Sequence, residues 1–147
     1  MPLFIHNLGY QIDTNPERLD LNAIQDFLNN HSYWAKQRTR EQIINSIAHS
    51  ACFGVFSSDG EQIGFARVVT DWTTFAWLCD VYIVESARGF GLGKWLLDTV
   101  MHFRELETIR RFMLVTQDAQ ELYRLYGGFS ELKNPDGCME RVIDFHS

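Results

Sequence analysis

The chain has 147 residues, about the size of one domain, and its 46% apolar composition includes eleven Phe, five Tyr and four Trp, enough for a full core and too apolar for disorder. A formal net charge of -6 argues against a nucleic-acid partner, because phosphate contacts need clustered Lys and Arg. The basic clusters, Lys36-Gln37-Arg38-Thr39-Arg40 and Arg110-Arg111, are short and read as solvated faces. No segment approaches the roughly 20 apolar residues that span a bilayer, and the first seven residues lack the basic-then-apolar order of a secretory signal. Cys52, Cys79 and Cys138 are odd in number and far apart, which is not a disulfide framework. The expected setting is a reducing cytosol, with neither membrane nor nucleic acid as partner. The acidic balance suits a cationic substrate weakly.

In chain order, Tyr10 to Thr14 is the first strand candidate. A helix from about Asp20 places Leu21, Ile24, Phe27 and Leu28 on one face. A second helix opens at Thr39, with Gln42 completing a capping box and Ile43, Ile44 and Ile47 as its apolar stripe. Cys52 to Phe56 and Ile63 to Val69 read as strands around the turn Ser57-Ser58-Asp59-Gly60. Asp71 to Thr74 is a second turn, leading into Phe75 to Val84, an apolar run expected to be buried on both faces. A glycine loop then opens a helix through about Leu106, with Leu92, Leu96, Val100 and Phe103 inward. Phe112 to Val115 is a further strand. Asp118 is expected to cap the next helix with Glu121 as its partner. Ala119, Leu122, Tyr123 and Tyr126 share a face of that helix, and Gly127-Gly128 stops it. Met139 to Phe145 reads as a last strand. The pattern predicts one α/β domain over residues 1–147, a mixed sheet with about four helices, in the order β-α-α-β-β-β-α-β-α-β.

The loop Arg88-Gly89-Phe90-Gly91-Leu92-Gly93-Lys94 lies between an apolar strand and an amphipathic helix. Alternate glycines let successive N–H groups converge, and the positive end of the helix adds to them, which suits a pyrophosphate. Arg88 and Lys94 bring positive charge to the same place. A P-loop would need glycine where Arg88 stands and Ser or Thr where Trp95 stands. A dinucleotide fingerprint from Gly89 would need glycine at Lys94. The plain alternative is a tight strand-to-helix turn, for which fewer glycines suffice.

The spacing Arg88-x-x-Gly91-x-Gly93, together with Asp118-Ala119-Gln120-Glu121-Leu122-Tyr123-Arg124-Leu125-Tyr126-Gly127-Gly128-Phe129, resembles the GNAT family of N-acetyltransferases over about residues 51 to 130. The family usually has one glycine before the phenylalanine, and here there are two. The resemblance implies a mainly antiparallel GNAT sheet flanked by helices, and acetyl-CoA as co-substrate with no metal. It implies that the backbone of Val81, Tyr82 and Ile83 pairs with the pantetheine arm, and that the amides of Arg88, Gly89, Phe90, Gly91, Leu92, Gly93 and Lys94 hold the pyrophosphate. It further implies direct transfer of the acetyl group to a small-molecule or protein amine, with a backbone N–H near Ile83 steadying the oxyanion. Tyr123 falls at the general-acid position, with Tyr126 as the alternative and core packing as the bland reading.

Asp80 is an acid inside an apolar strand, so it has a partner or a task. General base and ion-pair partner of Arg67 are both open. Glu85 reads as a solvated turn residue. His31, Tyr33, Trp34 and Arg38, with Trp72 and Trp77, lie where the family often lines its acceptor pocket, or are ordinary packing. No His or Cys pair has zinc spacing, G-x-S-x-G is absent, and Cys79 lacks a neighbouring His. An acetyl-CoA-dependent N-acyltransferase is the leading reading. A non-catalytic acyl-CoA-binding sensor or partner module is the alternative, and another acyl donor such as succinyl-CoA stays open. The sequence leaves the acceptor and the oligomeric state undetermined, a homodimer among the options.

Overall fold

The computed structural model describes residues 2–6 and 8–143. Among them lie six strands, β1 (Leu3–Ile5), β2 (Gln11–Asp13), β3 (Ala51–Phe56), β4 (Gln62–Thr70), β5 (Phe75–Ile83) and β6 (Arg111–Met113), and four α-helices, α1 (Leu21–Asn30), α2 (Arg40–Ala48), α3 (Leu92–Met101) and α4 (Gln120–Gly127). The strands form one sheet in the order β1-β2-β3-β4-β5-β6. Every neighbouring pair is antiparallel except β5 and β6, which are parallel and joined through α3.

Two apolar layers sandwich the sheet. On one face Leu92, Leu96, Leu97 and Val100 of α3 and Tyr123 of α4 meet Phe53, Val68 and Leu78. On the other, Ile24, Phe27 and Leu28 of α1 and Ile43 of α2 meet Cys52, Phe65 and Tyr82. Adjacent residues Cys52 and Phe53 thus point to opposite layers, as strand geometry requires. Asp20 caps α1 by accepting the Ala23 N–H, and Thr39 with Gln42 makes the expected capping box. Only part of the Ile stripe of α2 is inward: Ile43 is buried, while Ile44 is exposed.

Several expectations need correction. β1 was not anticipated, being three residues long and mostly exposed. β5 is not buried on both faces but alternates, because each face of an antiparallel neighbour packs differently. A bulge changes the layer the strand faces, from that of Leu78 to that of Tyr82: Phe65 pairs with Tyr82 and Arg67 with Cys79, so Asp80 and Val81 together oppose Ala66. Asp80 takes the left-handed φ of +53° there. α3 ends at Met101, and a separate 3-10 turn, Arg104–Leu106, carries Leu106 into the core, with the preceding Phe103 also buried. Ala119, not Asp118, stands at the start of α4 with no side-chain cap. The Ala119 N–H instead donates to Thr116 Oγ1, and Glu121 pairs with Arg124.

The two glycines after α4 divide the work. Gly128 adopts φ +71° and closes the helix through N–H donation to the Tyr123 carbonyl. Gly127 stays helical, and a Cβ there would come within 2.8 Å of the Phe129 ring. The predicted final strand is not formed as far as Ile143, and Asp144 and Phe145 lie outside the described residues. Met139 and Val142 are 95% and 75% exposed. Scattered apolar residues do not make a strand when no neighbouring edge takes them up.

Candidate active site

β5 and β6 pair only over Phe75–Trp77 and Arg111–Met113. Beyond that the two strands separate, and a cavity of about 450 Å³ fills the opening. One wall is β5 from Trp77 to Val81. The opposite wall is the segment from Leu114 to Ala119 with Tyr123 of α4. Tyr33, Trp34 and Arg38, from the α1–α2 connection, and Arg67 of β4 complete it.

Backbone groups are left for a ligand along β5. The Val84 N–H donates to the Ile63 carbonyl on β4 at 2.9 Å. Successive residues of a strand turn their backbone to opposite sides, so Ile83 faces away from β4. Arg88 Nε donates to the Ile83 carbonyl at 3.0 Å. By the same alternation Tyr82 faces β4, and Val81, within the bulge, lines the opening. The Tyr82 ring is buried, stacked on Phe27 with centroids 3.8 Å apart.

The loop after β5 supplies further amides. Gly89 and Gly91 have φ of +92° and +76°, and a Cβ at Gly89, Gly91 or Gly93 would meet nothing within 4 Å. Gly91 starts α3 without a side-chain cap. Its carbonyl takes the Trp95 N–H at 3.1 Å, so the amides of Leu92, Gly93 and Lys94 precede the first helical bond. The Leu92 side chain is buried, while Phe90 is half exposed and both Arg88 and Lys94 are exposed. Lys94 Nζ lies 4.7 Å from the centre of the Tyr126 ring. A helix start rich in free amides, with open space at three glycines and two cations beside it, fits a diphosphate.

Tyr123 is 9% exposed. Burial, reinforced by Tyr33 and Asp118, pushes its phenol up to about 12, so it is a proton donor at neutral pH. Tyr126 is absent from the cavity lining and lies by the glycine loop instead. Asp80 is 4% exposed. Its Oδ1 accepts from Trp34 Nε1 at 3.0 Å, and its Oδ2 accepts from Arg38 at 2.7 Å and Arg67 Nε at 2.8 Å. Arg67 also donates to Ser50 Oγ at 3.0 Å. The ion pair with Arg67 exists, and sequence reasoning missed that Arg38, Trp34 and Ser50 join it. Only the approach of the α1–α2 connection to β5 brings them together. Of the aromatic candidates, Tyr33, Trp34 and Trp77 line the cavity, whereas Trp72 packs near Phe103, 6.5 Å between centroids. His31 is exposed and 3.7 Å from Asp26. Burial raises the Cys79 thiol to about 11, which keeps it protonated and unreactive.

A sequence model of the acetyltransferase (GNAT) family matches residues 21–129. The chain belongs to that family. A crystal structure from Xanthomonas campestris pv. campestris, assigned as a GNAT-family acetyltransferase, is 40% identical, with TM-score 0.87 over 91% of this chain and 93% of that one. A Gibberella zeae protein assigned as an acetyltransferase is 28% identical over 87% of this chain and 83% of its own. The Mycobacterium tuberculosis protein Rv2747, solved in complex with CoA, shares the fold at 13% identity and TM-score 0.64, over 79% of this chain and 69% of that one. Acyl transfer from acetyl-CoA is the chemistry of this GNAT family. Among the described residues no helix is long and apolar enough to cross a membrane.

Proposed function

We propose that this GNAT protein is an amine N-acetyltransferase, one domain over residues 1–147, acting by direct transfer without an acyl-enzyme. The observation that supports it most is the placement of Tyr123. A buried phenol held protonated lines the opening between β5 and β6, opposite the backbone of β5. The backbone of Val81 would take the pantetheine arm, with Tyr82 fixing the strand beneath and the Ile83 carbonyl held by Arg88. The amides from Arg88 to Lys94 would take the pyrophosphate. Acetyl-CoA, when bound, supplies an acetyl group activated as a thioester.

The remaining steps belong to the chain. The Ile83 N–H steadies the thioester oxygen as the amine nitrogen forms its bond to carbon. The carbon–sulfur bond breaks, and Tyr123 gives its proton to the departing sulfur. Asp80, held by two guanidinium groups and an indole N–H, is a poor base. We assign it to positioning, and the proton shed by the amine to water. Three free thiols go with a cytosolic setting.

Thiol release from acetyl-CoA with a panel of amines tests the reading. Tyr123→Phe is expected to lower kcat about 100-fold with acetyl-CoA affinity unchanged by calorimetry. Affinity without turnover of any amine, and indifference to Tyr123→Phe, would identify a binding module instead.

A further inference from the structure

The cavity beside Tyr123 has an uneven charge distribution. On the β4–β5 side, two guanidinium groups, Arg38 and Arg67, share the single carboxylate of Asp80. Three of their N–H-bearing nitrogens are used: one from Arg38 and two from Arg67, the last on neutral Ser50. No buried side-chain nitrogen or oxygen among the described residues lacks a partner. The remaining guanidinium nitrogens of these two residues therefore reach open space, and both residues line the cavity. Two positive charges against one carboxylate leave one positive charge without a counter-charge at that wall. The opposite wall carries an exposed Asp118 near Tyr123, whose phenol feels its charge.

We infer that the acceptor is a zwitterion, a primary amine that itself carries a carboxylate, seated with the carboxylate on Arg38 and Arg67 and the nitrogen toward Asp118 and Tyr123. A guanidinium presents paired donors in one plane, which match a carboxylate's two oxygens. Asp80 fixes the two guanidinium planes, so the site is ordered before the substrate arrives. The arrangement places positive charge away from the reacting nitrogen and negative charge beside it, which favours the orientation needed for transfer. A simple alkylamine would leave the arginine wall unmatched. The net acidity of the chain therefore does not describe its pocket: the overall charge is -6, but the recess is polarised.

This inference rests on the acetyltransferase reading, and the experiment separates the two. Wild-type protein is given acetyl-CoA with matched triplets: a free amino acid, its carboxamide, and its decarboxylated amine, across the protein-forming amino acids whose amine is primary. Thiol release is followed, and acetyl-CoA binding is measured separately by calorimetry. At least one free acid is expected to show kcat/KM ten-fold or more above both of its partners. Arg38→Gln is expected to raise KM about ten-fold for that acid and much less for the carboxamide. Arg38→Lys should recover part of the loss. Equal or faster turnover of carboxamides or decarboxylated amines overturns the zwitterion proposal and leaves the acetyltransferase reading standing. Acetyl-CoA binding with no acid acetylated also overturns it. Failure to bind acetyl-CoA removes the reading beneath it.

Discussion

At Asp80 a single side chain settles how three separate parts of the chain meet. Its left-handed backbone, φ +53°, is one that Asp and Asn tolerate better than other non-glycine residues. The resulting bulge brings the carboxylate onto Arg67, while Arg38 and Trp34 arrive from the α1–α2 connection. Asp80→Asn keeps the shape and tolerates the same φ, so its effect reports charge. Two guanidinium groups would then lack their shared anion, which for a mostly buried cluster costs about 3 kcal/mol. Urea denaturation should show this as a lower midpoint with an unchanged slope. A change below about 0.5 kcal/mol, within the range of ordinary surface substitutions, would mean the cluster contributes no net stability. Tyr123 shows the complementary case, a phenol already neutral at pH 7 whose burial keeps it protonated to higher pH.

At the scale of the element, the glycine loop separates backbone need from ligand need. Gly91 stands at the start of α3 with φ +76°, a conformation that costs an alanine about 1–2 kcal/mol. Gly93 lies within α3 without positive φ, and a Cβ there meets nothing within 4 Å. Glycine is unfavourable inside a helix, so Gly93→Ala is expected to stabilise the fold by about 0.5–1 kcal/mol. Gly91→Ala is expected to destabilise it. Both should weaken acetyl-CoA binding in calorimetry, because both put a methyl group into the space proposed for the pyrophosphate. If Gly93→Ala raises Tm and leaves coenzyme affinity intact, that glycine serves neither turn nor ligand. The turn before β5 relies on a different device. Asp71 accepts from the Thr74 hydroxyl and from the amides of Thr73, Thr74 and Phe75. The Thr74 hydroxyl first, and then these amides, hold its carboxyl well below the usual carboxylate range.

For the whole molecule, burial holds two thiols and two phenols neutral, in contrast to the ion-paired carboxylate of Asp80. Burial raises Cys52 from its ordinary 9.0 to about 12 and Cys79 to about 11, with the charge of Arg67 opposing it in both. Tyr123 rises from 10.0 to about 12, and Tyr82 is pushed up as well, burial again leading. In the unfolded chain these groups ionise at their ordinary values, while the native state keeps its protons. Between these limits the unfolded state binds fewer protons, so stability falls as pH rises. Their contribution is complete below pH 9 and is lost progressively from about pH 9 to 12. Denaturation midpoints compared at pH 8 and pH 11 should show the drop. A flat profile would mean that solvent reaches these groups in the native state.

Local rules in the sequence determined the local parts of this protein. Capping by Thr39 and Gln42, the turn at Ser57–Gly60, the 3.6-residue spacing of Leu92, Leu96 and Val100, and the loop from Arg88 to Lys94 are all short-range features, formed by residues within a turn or two of one another. The family resemblance rests on the same short segments, which is why it was legible. Tertiary structure alone decided what depends on a partner distant in the chain. The Met139–Val142 segment is expected as a strand yet forms none, because pairing needs an edge. α3 stops at Met101, although its apolar spacing continues to Phe103. The bulge at Asp80 and the meeting of Arg38, Arg67 and Trp34 on one carboxylate span 13 to 46 positions. No periodicity encodes such a meeting. It follows from the order in which strands pack and from the opening they leave.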